Sequence, residues 1–312
     1  MRFDPVKLQS LVKDVHSRYK EVSGGNNASY IPYLADVSST LSALTVVLSD
    51  GTVCAAGDCQ YPFAIESISK VATLALALED VGPEEVQQKI GADPTGLAFN
   101  SVMALELHGG KPQSPLVNAG AMATVSLVDA KDVEHRWQRI LRMQCDLTGG
   151  DIKLSDEVNQ SEQTTNFHNR AIAWLMYADG TMSADPMQVC DVYTRQCSTL
   201  ITTVELAIMA ATLAARGRNP KTGMQVLKGH HVPRILAEMT MEGLYDSSGD
   251  WAYTVGLPAK SGVGGGIMAV APGKLGIAAF SPPLDGFGNS VRAQKMIADV
   301  AAELRLNLYD PA

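Results

Sequence analysis

The stretch FAIESISKVATLALALEDVG, residues 63–82, decides how the rest of the chain is read. After Lys70 come Val71, Ala72, Leu74, Ala75, Leu76, Ala77 and Leu78. A helix of that composition is apolar nearly all round and belongs inside a protein. A lysine at its start is costly, because burial disfavours the ammonium and lowers its pKa. The same shift suits a lysine to act as a base near neutrality. Ser67 stands three residues earlier, one helical turn away. In a first helical turn, free backbone N–H groups and the helix dipole favour a developing oxyanion. Ser67 is therefore a candidate nucleophile and Lys70 its base. The competing reading is a surface helix whose polar residues happen to be so spaced. S-x-x-K alone is a weak signal, since Ser10/Lys13 and Ser17/Lys20 repeat it on the polar face of an N-terminal helix.

A serine–lysine enzyme of this kind also uses a later K-[ST]-G on a strand. Two segments offer one. NPKTG, 219–223, is polar and turn-like, whereas LPAKSGVGGGIMAV, 257–270, runs on into an apolar strand whose glycines permit close backbone approach. Lys260-Ser261-Gly262 is the stronger candidate, and Lys221 reads as a loop residue. The S-D-N or Y-x-N element of β-lactamases occurs nowhere in the chain, which argues against that activity.

The surrounding sequence places this helix in an α+β chain. Leu8, Leu11, Val12, Val15 and Tyr19 mark one face of a helix over 5–22. SALTVVL, SDG and TVCAAG, residues 42–57, read as a hairpin. Helical periods dominate from about 83 to 220, and strand patterns return in DWAYTVGLPA, GVGGGIMAVAP and GKLGIAAFSPP before a final helix over 288–306. The two chain ends are expected to build one antiparallel sheet covered by the terminal helices. Residues 1–65 and 225–312 would form that sheet subdomain, with 66–224 an inserted helical subdomain.

Composition narrows the function. The 312 residues carry 25 basic and 33 acidic side chains, a net charge of −8, and no long basic run, which argues against nucleic acid or an anionic membrane as partner. No apolar run reaches the roughly 18 residues of a membrane span, and the N-terminal stretch lacks a signal-peptide core, so a cytoplasmic protein is expected. The five cysteines, Cys54, Cys59, Cys145, Cys190 and Cys197, form no C-x-x-C pair, and no H-E-x-x-H occurs, so no metal or other cofactor is expected. His168 stands next to Asn169, and His230-His231 read as a loop pair.

Several blocks together resemble one family. YIPYLA at 30, ESISK at 66, GADPTG at 91, PLVNAGA at 115, SEQTTNFHNRA at 161, DVYTRQCS at 191, GLYDSSGDWAYTVGLPAKSGVGGG at 243 and FSPPLDGFGNSV at 280 are similar to the serine-dependent glutaminases, and within them to the bacterial enzymes. The resemblance covers about 25–295. It implies a β-lactamase/transpeptidase-like fold, hydrolysis of L-glutamine to L-glutamate and ammonia, and a homodimer or homotetramer. By position, Ser67 matches the nucleophile, Lys70 the base, Tyr193 a proton shuttle that fills the missing middle element, and Lys260 the basic residue behind the site. Ser67 and Val263 match the oxyanion hole through their backbone N–H groups. Tyr30, Asn118, Glu162, Asn169 and Tyr245 match the residues that hold the amino-acid head group. Position 66 is Glu here and Gln in the animal enzymes. Taken singly, Asn118 could cap a helix, Glu162 and Asn169 could share a solvated helix face, and Tyr193 could be core. Another serine–lysine amidase or esterase, and a catalytically silent module, are the alternatives.

Overall fold

The computed structural model describes residues 3–310. A hairpin of β1 (Ala43–Leu48) and β2 (Val53–Gly57) is followed by three short strands, β3 (Phe63–Ala64), β4 (Lys153–Leu154) and β5 (Thr199–Ile201). The chain closes with β6 (Ala259–Ser261), β7 (Gly266–Ala271), β8 (Leu275–Phe280) and the helix Val291–Glu303. β2, β1, β8, β7 and β6 lie in that order in one antiparallel sheet, so the β1–β8 pairing joins the chain's two ends. A second antiparallel sheet has the order β3, β5, β4.

The period of two along each strand divides the main sheet into two buried faces. Leu44, Val46, Ile267, Ile277 and Ala279 pack with Leu8, Val12 and Val15 of the helix Pro5–Tyr19 and with Met296, Ile297 and Val300 of the last helix. Arg18 and Asp299 form an ion pair between those two terminal helices. The opposite face, including Val47, Met268, Val270 and Phe280, joins the core of the helical region.

Caps set the helix ends more tightly than periodicity does. Asp4 accepts from the N–H groups of Val6 and Lys7, with Pro5 at the first helical position, and Ser290 accepts from Ala293. The first helix stops at Tyr19 and the last spans Val291–Glu303, both shorter than the sequence pattern suggests. DWAYTVGLPA is a correction of kind: Ser248–Thr254 is helical, and only Ala259–Ser261 joins the sheet. Trp251, buried and donating its indole N–H to Leu257 O at 2.9 Å, is held there by packing that outweighs its strand propensity.

The helix Ser69–Lys89 is buried without a break from Ser69 to Leu78 and kinks at Gly82, before Pro83. The helix Thr203–Ala214, started by a capping box of Thr202 and Glu205, crosses the sheet so closely that a Cβ on Gly276 would stand 2.3 Å from the Ala211 nitrogen. Gly276→Ala must push β8 and this helix apart. Overpacking of that kind typically costs ~1–3 kcal/mol. Thermal unfolding is expected to show a Tm lower by several degrees, and an unchanged Tm would contradict the close approach.

Candidate active site

Ser67 lies in a 3-10 turn, Glu66–Ile68, between β3 and the buried helix. Glu66 takes the left-handed conformation there, with φ 52°. A non-glycine residue in that region is strained, and such strain persists where the surroundings fix it. Those surroundings come from GVGGG. A Cβ on Gly264 would stand 2.2 Å from Ala64 O, so only glycine lets this turn lie against the Ser67 segment. That contact carries Val263 to the site.

Ser67, Val263, Tyr30, Glu66, Asn118, Glu162, Asn169 and Tyr193 line one cavity of about 730 Å³. Lys70 and Lys260 are shut off from it, 1% and 0% exposed. Lys70 Nζ donates to Asn118 Oδ1 at 2.7 Å and to Leu116 O at 3.3 Å. The Tyr193 hydroxyl donates to the same Asn118 Oδ1 at 3.1 Å, and Asn118 Nδ2 donates to Asn169 Oδ1 at 2.9 Å. Asn118 is thus no helix cap, although it begins the helix Asn118–Leu127. It joins the lysine, the tyrosine and the outer wall of the cavity. Glu162 and Asn169 belong to two helices, Asp156–Gln163 and Phe167–Ala178, so they do not share one helix face.

Burial pushes the Lys70 ammonium down to about 8, with Cys197, Glu66 and Glu242 opposing. Burial holds the Tyr193 phenol well above its ordinary range. Burial also takes Lys260 well below the usual lysine range, and the nearby Lys70 adds to it. Lys260 Nζ donates to Gly243 O and Ser261 O, both at 2.9 Å, and lies 4.4 Å from the centre of the Tyr245 ring. The Tyr245 phenol in turn donates to Ser261 O at 3.4 Å. Lys221 is exposed in the turn that joins the Arg218–Gln225 bridge, and Ser10, Lys13, Ser17 and Lys20 are all exposed.

The cavity contains groups that the motifs alone did not single out. Asn100, Asn166, Thr194, Cys197 and Phe287 are among the other residues of its walls, and so is His168. They fall inside or beside the quoted blocks, but nothing in their local spacing marks them as facing a cavity. Among the described residues no group of three or more His, Cys, Asp and Glu could hold a metal ion, and no helix is long and apolar enough to cross a membrane.

The matching family model is Glutaminase, over residues 25–309. A "Glutaminase" of Bordetella avium is 67% identical over 312 residues, covering all of both chains. The chain belongs to the glutaminase family. "Glutaminase 1" of Escherichia coli K12 is 66% identical over 306 residues, which is 98% of this chain and 99% of that one. The solved structure of the probable glutaminase ybaS superposes with a TM-score of 0.98 at 65% identity, covering 99% of this chain and 100% of that one. The glutamate form of Mglu gives 0.93 at 32% identity, covering all of this chain and 71% of that one. The α+β architecture and the family expected from the sequence are both met.

Glu66 is the most unusual group in the cavity wall. It is 3% exposed, and its Oε1 has no hydrogen-bond partner among the described residues. Burial raises both carboxyls, and for Glu66 the charge of Glu162 raises it further. Burial and the neighbouring carboxylate both favour the protonated form of Glu66. Unfolded, Glu66 ionises near 4.5; folded, it stays protonated well above that. Across that window the folded state binds more protons, so stability falls as pH rises. Glu66→Gln keeps a neutral donor. Its Tm relative to the parent is expected to become more favourable as pH is raised from 4 to 8. A difference that stays constant with pH would contradict the raised Glu66 carboxyl.

Proposed function

We propose that the chain hydrolyses the side-chain amide of L-glutamine to L-glutamate and ammonia through a γ-glutamyl ester on Ser67. The reading rests on one observation above all: one turn after Ser67, Lys70 Nζ and the Tyr193 hydroxyl share the single acceptor Asn118 Oδ1, at 2.7 and 3.1 Å. A nucleophile and a protonated phenol then line one cavity, with a lysine whose neutral form is reachable near pH 8 buried just behind its wall.

In this mechanism neutral Lys70 takes the Ser67 proton as Oγ attacks the amide carbon. The oxyanion is held by the backbone N–H groups of Ser67 and Val263. Collapse breaks the C–N bond, and the proton passes from Lys70 by way of Tyr193 to the leaving nitrogen, which departs as ammonia. Water then attacks the ester and gives its proton to Lys70, which passes it to Ser67 Oγ as the acyl C–O bond breaks and glutamate leaves. Lys260 is the basic residue behind the site, where it donates to Gly243 O and Ser261 O and supports the Tyr245 ring.

The head group fits the outer half of the cavity. Glu162 is the anion for the α-ammonium, while Tyr30, Asn169 and the remaining N–H of Asn118 donate to the α-carboxylate. Tyr245 closes the inner side beside Ser67. On this reading the fold is β-lactamase/transpeptidase-like, with about 1–65 and 225–312 as the sheet subdomain and about 66–224 as the helical insertion.

The test is release of ammonia and glutamate from L-glutamine by the purified chain beside Ser67→Ala and Ser10→Ala. Equimolar products from the parent and from Ser10→Ala are expected, with Ser67→Ala lower by at least ~10³-fold, the loss typical of a missing nucleophile. An active Ser67→Ala would overturn the assignment.

A further inference from the structure

The helix Val232–Glu242 lies outside the cavity, yet a chain of hydrogen bonds runs from it to the buried lysine. Glu238 is 6% exposed, and its Oε2 accepts from Ser114 Oγ at 2.7 Å. Ser114, fully buried, accepts in turn from the Leu116 N–H at 3.1 Å. The Leu116 carbonyl is the second acceptor of Lys70 Nζ, at 3.3 Å. We propose that Glu238 is a positioning residue for Lys70, acting through Ser114 and the Leu116 backbone to fix the carbonyl that receives the ammonium. The proposal rests on Lys70 being the base in the reading above.

The surroundings of Ser114 show why the segment needs such an anchor. Residues 114–117 carry no ladder hydrogen bonds, and Pro115 has no N–H to offer. The next helix packs directly on the segment, where a Cβ on Gly120 would stand 1.8 Å from Ser114 O. The Asn118 N–H is held separately by Phe99 O at 2.9 Å. Two ties hold the backbone that carries the Lys70 acceptors: Phe99 for the start of the Asn118 helix, and Glu238 through Ser114 for Leu116, while Asn169 and Tyr193 hold the Asn118 side chain. Burial pushes Glu238 up to about 7, so it is met in both charge states near neutrality, and either form accepts from Ser114. A glutamine carbonyl can do the same.

The residue one turn on, Glu242, has a different role. It accepts from the Thr95 N–H at 2.7 Å, and its charge opposes the downward shifts of Lys260 and Lys70. Glu238 does not act on Lys70 by charge in this way. Its effect is geometric, so it should appear in turnover and not in substrate affinity.

Steady-state kinetics with L-glutamine test this in the parent, Glu238→Gln, Glu238→Ala, Ser114→Ala and the Glu238→Ala/Ser114→Ala double variant. The expected result is a loss in kcat on the order of 10-fold for each alanine variant, with KM within about twofold, because a misplaced base slows chemistry without touching the head-group site. Glu238→Gln should keep most of the parent's kcat. The double variant should be no slower than the worse single one, since both cut one chain. Parental kcat in both alanine variants, a loss confined to KM, or losses that multiply in the double variant would overturn the positioning role. Ser114→Ala removes one hydroxyl and keeps the test alive if Glu238→Ala does not fold. A parent that releases no ammonia would instead overturn the glutaminase reading itself.

Discussion

The burial of one ammonium group organises the catalytic half of this molecule. Lys70 is 1% exposed at the head of a helix whose next two turns are entirely core. A buried charge without partners would cost several kcal/mol, and even a well-bonded one shifts toward neutrality. The Asn118 amide and the Leu116 carbonyl supply the partners, both from the segment that follows Ser114. That segment has to be fixed before the lysine can be. The Ser67 turn, the Ser114–Asn118 segment, the Tyr193 helix and the Glu238 helix therefore converge on one nitrogen.

The sheet gives that convergence a rigid base. β1 and β8 pair along their whole length, from Ala43 opposite Phe280 to Leu48 opposite Leu275, and tie the first fifth of the chain to its last. From this sheet the Gly262–Gly265 turn reaches across to the Ala64–Glu66 backbone, a contact no side chain would allow. The left-handed Glu66 is held between the two. Strain beside Ser67 is thus supported by pairings that lie far away in sequence.

Much of this was legible in the sequence, for identifiable reasons. Ser67 and Lys70 announced themselves because a lysine leading an apolar helix has no cheap structural explanation. Lys260 could be preferred to Lys221 because an apolar strand follows it, and it is buried in β6 while Lys221 is exposed in a turn. Asn118 shows the limit. The resemblance implied a head-group role for it, but spacing could not show that its carbonyl oxygen accepts from Lys70 and Tyr193. Glu238 gave no signal, because its link to Lys70 passes through backbone and through residues more than a hundred positions away. The segment around Trp251 misled, since aromatic and β-branched residues read as strand until packing on Leu257 fixes them in a helix. Local pattern carried the elements with strong periodicity; side-chain direction and long-range hydrogen bonds are set by the assembled fold.

The central claim is that the buried lysine activates Ser67. It is tested most directly by labelling the chain with 6-diazo-5-oxo-norleucine, a reactive glutamine analogue, and following the adduct by mass spectrometry in the parent and in Lys70→Met. Methionine fills the lysine's place without a charge or a base. The account predicts one adduct, on Ser67, in the parent and essentially none in Lys70→Met under the same conditions. Labelling of Ser67 at the parental rate without Lys70, or an adduct on another residue, would contradict it.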